Sequence, residues 1–163
     1  MLYDKEIIDQ VKEMLTLKQL TLSVAESATS GHLQAAFSSA TEASKFFQGG
    51  ITAYNTGQKC RHLNIEPIAA IEDNAVSEKV ACEMATQVNR LFISDYGISI
   101  TGYATKMPEK GIDNLYAFFA IAYKQKVVTI KKISSSKEES VDAQIDYTVQ
   151  VIKEFENHLK LIK

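Results

Sequence analysis

Ser27 lies in the stretch Ala25-Glu26-Ser27-Ala28-Thr29-Ser30-Gly31, where an alternating apolar run from Leu20 to Ala25 gives way to small hydroxylated residues and a glycine, with a helical pattern directly behind. A hydroxyl in such a turn has two uses. It can cap the following helix, as Ser and Thr commonly do, or it can act as a nucleophile whose oxyanion is held by backbone N–H groups around Thr29 to Gly31. Local sequence by itself favours the cap. A nucleophilic serine also needs a base, and histidine is the usual one. His158 falls on a terminal helical stripe and His62 in a short basic segment, so both are expected on the surface, while His32 adjoins the turn but is expected to point along the helix side. Lysine is the other base used with serine, provided burial removes its proton. Lys59 follows the turn Tyr54-Asn55-Thr56-Gly57. To serve, it must give up its proton about three pH units below ~10.4, a difference of about 4 kcal/mol in solvation. On residue pattern alone, a surface lysine is the better reading.

The elements that must position these residues alternate along the chain. Ile8, Val11 and Leu15 recur at helical spacing behind Asp4 as a helix cap, with Glu6 in the first turn. Leu20 to Ala25 reads as a strand, and Leu33, Ala36 and Phe37 as the face of the helix after the turn. Gly49-Gly50 opens a second short strand, Ile51 to Tyr54, before a helical segment ending at Leu63. Ser77 caps a helix with Val80, Met84, Val88 and Leu91 on one face. Tyr96 to Gly102 and Leu115 to Tyr123 read as buried strands, and Val127 to Ile133 as an alternating one reached through Lys124-Gln125-Lys126. A last helix carries Val141, Ile145, Val149, Ile152, Phe155 and Leu159, and both prolines, Pro67 and Pro108, are expected in loops. Strand–helix alternation through residue 102 implies parallel crossovers, and the final strand pair implies a hairpin. The expected fold is α/β: a mixed, mainly parallel sheet with helices on both faces, in one domain over residues 1–163.

Composition narrows the class. A hydrophobic content of 45% and a charged content of 23% fit an ordinary globular domain, and 163 residues suffice for one core. No run approaches the ~18 apolar residues of a membrane span, and the start Met1-Leu2-Tyr3-Asp4-Lys5-Glu6 lacks a signal-peptide pattern, so a cytoplasmic location is expected. A net charge of −2 offers nothing to nucleic acid or anionic lipid, so neither is expected as a partner. Cys60 and Cys82 have no metal-binding or disulfide-framework spacing, so reduced thiols and no metal are expected.

Five collinear segments carry a resemblance to a known family. Ala25 to Gly31 resembles the A-E-S-C-T-G-G signature of the CinA C-terminal domain family, which includes the bacterial nicotinamide-nucleotide amidases. Ser44 to Gly50 resembles its S-S-x-x-F-x-G-G segment, Tyr54-Asn55 with Lys59 its Y-(S/N)-x-x-x-K segment, Asn74 to Glu78 its G-A-V-S-E, and Ile98 to Gly102 its strand ending in (S/T)-G. The resemblance implies a three-layer α/β/α sandwich around a five-stranded sheet. It implies hydrolysis of the carboxamide of nicotinamide mononucleotide, or a related amide, to the acid and ammonia, without metal or other cofactor. Residue by residue, it implies Ser27 as nucleophile and Lys59 as general base, with Glu26, Thr29, Ser30, Gly31, Tyr54, Thr101 and Gly102 at the substrate. Family habit implies a homo-oligomer.

The departures fall where substrate would be held. Ala28 stands in place of the family cysteine, and Ser30 in place of a glycine, which strains the loop if that position needs positive φ. The glycine-rich loop after Gly102 is replaced by Tyr103 to Gly111, and the arginine-bearing segment before the last helix by Ser136 to Asp142, so that Glu138 and Asp142 stand where cations are expected. Lys106, Lys110 and Lys137 are the candidates to compensate. The rival to an amidase is therefore a noncatalytic descendant that keeps fold and pocket as a ligand-binding or interaction module.

Overall fold

The computed structural model describes residues 2–162; Met1 and Lys163, the ends of the expected domain, lie outside that range. Helix α1 (Lys5–Leu17) starts where the Asp4 carboxylate accepts from the N–H groups of Glu6 and Ile7, and it buries Ile8, Val11 and Leu15, the face that the spacing predicts. Then come β1 (Leu22–Glu26), α2 (His32–Ser38), β2 (Phe47–Thr52), α3 (Thr56–Leu63), α4 (Pro67–Glu72), α5 (Glu78–Leu91), β3 (Tyr96–Gly102), β4 (Leu115–Tyr123), β5 (Lys126–Ser135) and α6 (Ser140–Leu161).

The sheet order is β2-β1-β3-β4-β5. Strand β1 pairs in parallel with both β2 and β3, whereas β4 runs antiparallel to β3 and to β5. The sheet is thus mixed, as expected, with β4 alone running against the other strands. Helices α1, α2 and α6 cover one face and α3, α4 and α5 the other, giving three layers. All five residues of β1 are buried, which is what a central strand covered on both faces requires. On the first face Leu22, Val24, Ile98 and Ile100 meet Phe37, Tyr147 and Phe155. On the other, α5 lies so close to β3 that a Cβ on Gly97 would sit 2.3 Å from the carbonyl oxygen of Ala85. The neighbouring contact is correspondingly built from small residues: Ala81 and Ala85 against Ala120 and Ala122.

Several boundaries differ from the sequence reading. Gly49 and Gly50 lie inside β2 instead of opening it. Pro67 begins a helix: it occupies the first turn of α4, where its missing N–H is no loss, and the Glu66 carboxylate accepts from Ile68 and Ala69 N–H. A helix of six residues is too short to show a period. Leu91 and Val141 are exposed because each sits in a terminal turn, where its stripe has run past its partners; α6 buries Ala143, Tyr147, Val151, Ile152, Phe155 and Leu159. His158 is half-buried, its ring packed edge-on against Tyr96 with centroids 5.7 Å apart, and burial pushes its pKa down. The turn between β4 and β5 has two residues, Lys124 and Gln125, both at positive φ, as a tight hairpin of matching twist demands.

Candidate active site at the carboxyl ends of the parallel strands

Strands β2, β1 and β3 end side by side, with Glu26 level with Thr52 and Ile100. The ladder continues one step further: Ser27 N–H donates to Ile100 O (3.0 Å) and Ala53 N–H to Glu26 O (2.9 Å). Ser27 is therefore clamped at the tip of the central strand, the place where an open α/β sheet presents its ligands. Its side chain is 4% exposed, and its hydroxyl donates to Tyr54 O over a long 3.4 Å.

The turn behind it is strained. Ser30 has φ 50° and Gly31 φ 102°, so two successive residues are left-handed. For an L-residue this costs about 1–2 kcal/mol, of which glycine is free. Ser30→Gly is accordingly expected to stabilise the chain by about 0.5–1 kcal/mol after the added unfolded-state entropy is subtracted. Thermal unfolding of the two proteins checks this; a lower melting temperature would show that the turn carries no such strain.

Glu26 and Thr29 serve this turn from beneath. The Glu26 carboxylate is fully buried and accepts four hydrogen bonds: from Thr29 Oγ1 (2.6 Å), Leu33 N–H (2.7 Å), Gln34 N–H (3.0 Å) and Gln34 Nε2 (2.9 Å). Both polar groups are spent on the start of α2 and neither faces the cavity beside Ser27. Ser30 and Gly31 likewise shape the turn without lining that cavity. Of the residues expected at substrate, Tyr54 and Gly102 are on the wall and Thr101 is buried behind it.

Lys59 is the unusual group. Asn55 caps α3 by accepting from Gln58 N–H, and the inward face of that helix carries Lys59 and, one turn on, Leu63, both buried. The lysine is 2% exposed, so the surface reading does not hold. Nζ donates to Thr101 Oγ1 (3.0 Å) and Ala75 O (3.3 Å), and Thr101 Oγ1 in turn donates to Ala75 O (2.6 Å). Ala75 O reaches both because Asn74 and Ala75 are left-handed, with φ 54° and 56°. A neutral amine has two N–H groups and one lone pair, so these two acceptors satisfy it fully; an ammonium would bury a third N–H without a protein partner. Burial lowers the Lys59 pKa to about 8, against the opposing pull of the Asp73 carboxylate and Cys60.

Ser27 and Lys59 both line a cavity of about 280 Å³, completed by Tyr54, Asn74, Val76, Gly102 and the loop residues Tyr103, Ala104, Thr105 and Met107. The two side chains are not hydrogen-bonded to each other among the described residues, so the close serine–lysine contact of a dyad is not made here. Asn74, Val76 and loop 103–107 escaped the sequence reading as site residues; the signal for Asn74 and Val76 was their place in the Asn74 to Glu78 segment. That loop is tied to α6 by Tyr147 Oη donating to Tyr103 O (2.9 Å), and to the segment between β5 and α6 by the Lys106–Glu138 ion pair. Ala28, also on the wall, has a backbone N–H that makes no hydrogen bond among the described residues.

Fold and site together define a three-layer α/β/α domain with a serine and a buried lysine at the carboxyl ends of its parallel strands. The family profile of the CinA C-terminal domain matches residues 4–155. A CinA-like protein from Flavobacterium psychrophilum is 34% identical over 144 residues, covering 86% of this chain and 34% of that one; another from Picosynechococcus is 42% identical over 94 residues, covering 58% and 22%. The chain thus spans about a third or less of the length of these relatives. Among solved structures, the competence damage-inducible protein A of Klebsiella pneumoniae superposes with a TM-score of 0.91 at 21% identity, covering 98% of each chain. A CinA superfamily protein of Escherichia coli superposes with a TM-score of 0.83 at 27% identity, covering 93% of this chain and 87% of that one. The chain belongs to the CinA C-terminal domain family.

Proposed function

We propose that this domain is an amidohydrolase that converts the carboxamide of nicotinamide mononucleotide, or of a related small molecule, to the carboxylic acid and ammonia. The observation that carries the reading is the buried Lys59, whose two acceptors suit a neutral amine and leave its lone pair for the cavity it shares with Ser27. In this mechanism Lys59 takes the Ser27 proton as Oγ attacks the carboxamide carbon, and the Ala28 N–H donates to the developing oxyanion. Lys59 then returns the proton to the departing nitrogen, releasing ammonia. A water, deprotonated by the same amine, then attacks the acyl carbon; the bond to Ser27 Oγ breaks, the acid leaves and Lys59 returns the proton to Oγ.

The contact still to be made is that between Ser27 and Lys59, since the serine hydroxyl points to Tyr54 O. A turn of the serine side chain on binding substrate would bring it over, in keeping with catalytic hydrogen bonds that tighten only in the complex. The same observation favours the second reading, a binding module without turnover. Ammonia release from nicotinamide mononucleotide, nicotinamide riboside and simple carboxamides separates the two: no release from any of them by folded protein leaves only the binding module.

The pH profile follows from the lysine. The active form is the neutral amine, so kcat/KM is expected to rise about tenfold per pH unit below about 8 and to level off above it. A profile flat between about pH 6 and 9 would remove Lys59 as the base. The proposed setting is the cytoplasm. Among the described residues no helix is long and apolar enough to cross a membrane.

A further inference from the structure

The amidase reading leaves the substrate class open, and the charges around the cavity narrow it. Among the described residues Lys59 is the only cation on the wall, and the proposed turnover requires it uncharged. Asp73 stands next to the wall residue Asn74 and is close enough to act on the Lys59 amine. Lys106 lies between the wall residues Thr105 and Met107, yet its Nζ holds both oxygens of Glu138, at 3.0 and 3.1 Å. Lys110 lines an adjoining hollow together with Glu72 and Asp73. Of these lysines, Lys106 is paired with an acid, Lys59 has acceptors that suit the neutral amine, and Lys110 shares its hollow with two carboxylates. A phosphate monoester carries close to two negative charges and needs uncommitted cations or a cluster of backbone amides to leave water. Here the loop on the cavity wall is Tyr103, Ala104, Thr105 and Met107, without a glycine. Tyr103 and the exposed Tyr54 offer aromatic surface, which attracts a positively charged ring.

We propose that the cavity takes a primary carboxamide that carries no phosphate, with a pyridinium nucleoside preferred over its 5′-phosphate, because the Lys106–Glu138 pair withholds the cation carried by the wall loop. This rests on the amidase reading for the carboxamide, and on the charge placement alone for the missing phosphate.

Calorimetric titration of Ser27→Ala protein at low salt with nicotinamide riboside, nicotinamide mononucleotide and inorganic phosphate tests it, beside ammonia release by the unsubstituted chain. The riboside is expected to bind at least about tenfold more tightly than the nucleotide, and inorganic phosphate not to compete with it. Glu138→Gln, at a side chain 77% exposed and so harmless to the fold, is expected to narrow that gap roughly threefold by strengthening nucleotide binding. Equal or tighter binding of the nucleotide, or binding of neither, overturns the proposal. Turnover without the preference leaves the amidase reading standing and removes this one; the preference without turnover does the reverse.

Discussion

Lys59→Met is expected to lower ammonia release by about 10³-fold or more and, at the same time, to make the protein more stable. The two effects share one cause. In the unfolded chain the lysine holds its proton up to its ordinary 10.5, whereas in the folded chain it releases it near 8. The folded pKa is depressed for a base, so the unfolded state binds more protons between those values and stability rises with pH across that window. Below pH 8 the full penalty is present, and the difference between 10.5 and about 8 corresponds to roughly 3 kcal/mol. Methionine fills the space without the charge, and Thr101 still donates to Ala75 O. A gain of about 1–3 kcal/mol at pH 7 is expected, several degrees in melting temperature for a domain of this size, shrinking as pH rises from 8 toward 10.5. Ser27→Ala should match the loss of activity with no gain in stability, since its hydroxyl makes only the long contact to Tyr54 O. Retained turnover in Lys59→Met would remove the buried amine as the base, retained turnover in Ser27→Ala would remove the serine as nucleophile, and a lower melting temperature for Lys59→Met at pH 7 would remove the burial penalty.

Glu26→Ala should have the largest effect on the fold itself. The substitution strands Thr29 Oγ1 and the N–H groups of Leu33 and Gln34, and leaves Gln34 Nε2 with only Thr52 Oγ1 as acceptor. Unpaired buried donors cost about 1–3 kcal/mol each, and the losses overlap because one water can serve two of them. A net destabilisation of about 3–5 kcal/mol is expected by chemical denaturation, with Glu26→Gln recovering a part of it. A loss under about 1 kcal/mol would mean that the carboxylate is free for substrate, as the resemblance implied.

The fate of Glu26 illustrates what was legible in the sequence. Strand alternation, helix stripes and the caps at Asp4, Asn55 and Ser77 act within a few residues, so β1, α1, α5 and the carboxyl-edge placement of Ser27 followed from local pattern. Glu26 bonds N–H groups seven and eight residues away, a distance with no periodic signature. Lys59 was legible only through its spacing from Tyr54 in the family motif. Its partner Leu63, four residues on, is the one local hint that this helix face is buried. The turn at Asn74-Ala75 was invisible, because alanine seldom adopts positive φ and nothing in its neighbours announces that it must. The cavity wall from Tyr103 to Met107 replaces the family's glycine-rich loop, so there was no pattern to match.

That Asn74-Ala75 turn has a consequence for how the protein responds to warming. It hangs from α4, six residues whose Ile68 and Ile71 are 75% and 71% exposed, so little apolar burial holds the segment down. Fraying of α4 is expected to draw the Ala75 carbonyl off the amine, admit water and let the nitrogen recover its proton. The proposed turnover is then expected to fade while the sheet is still intact and to return on cooling.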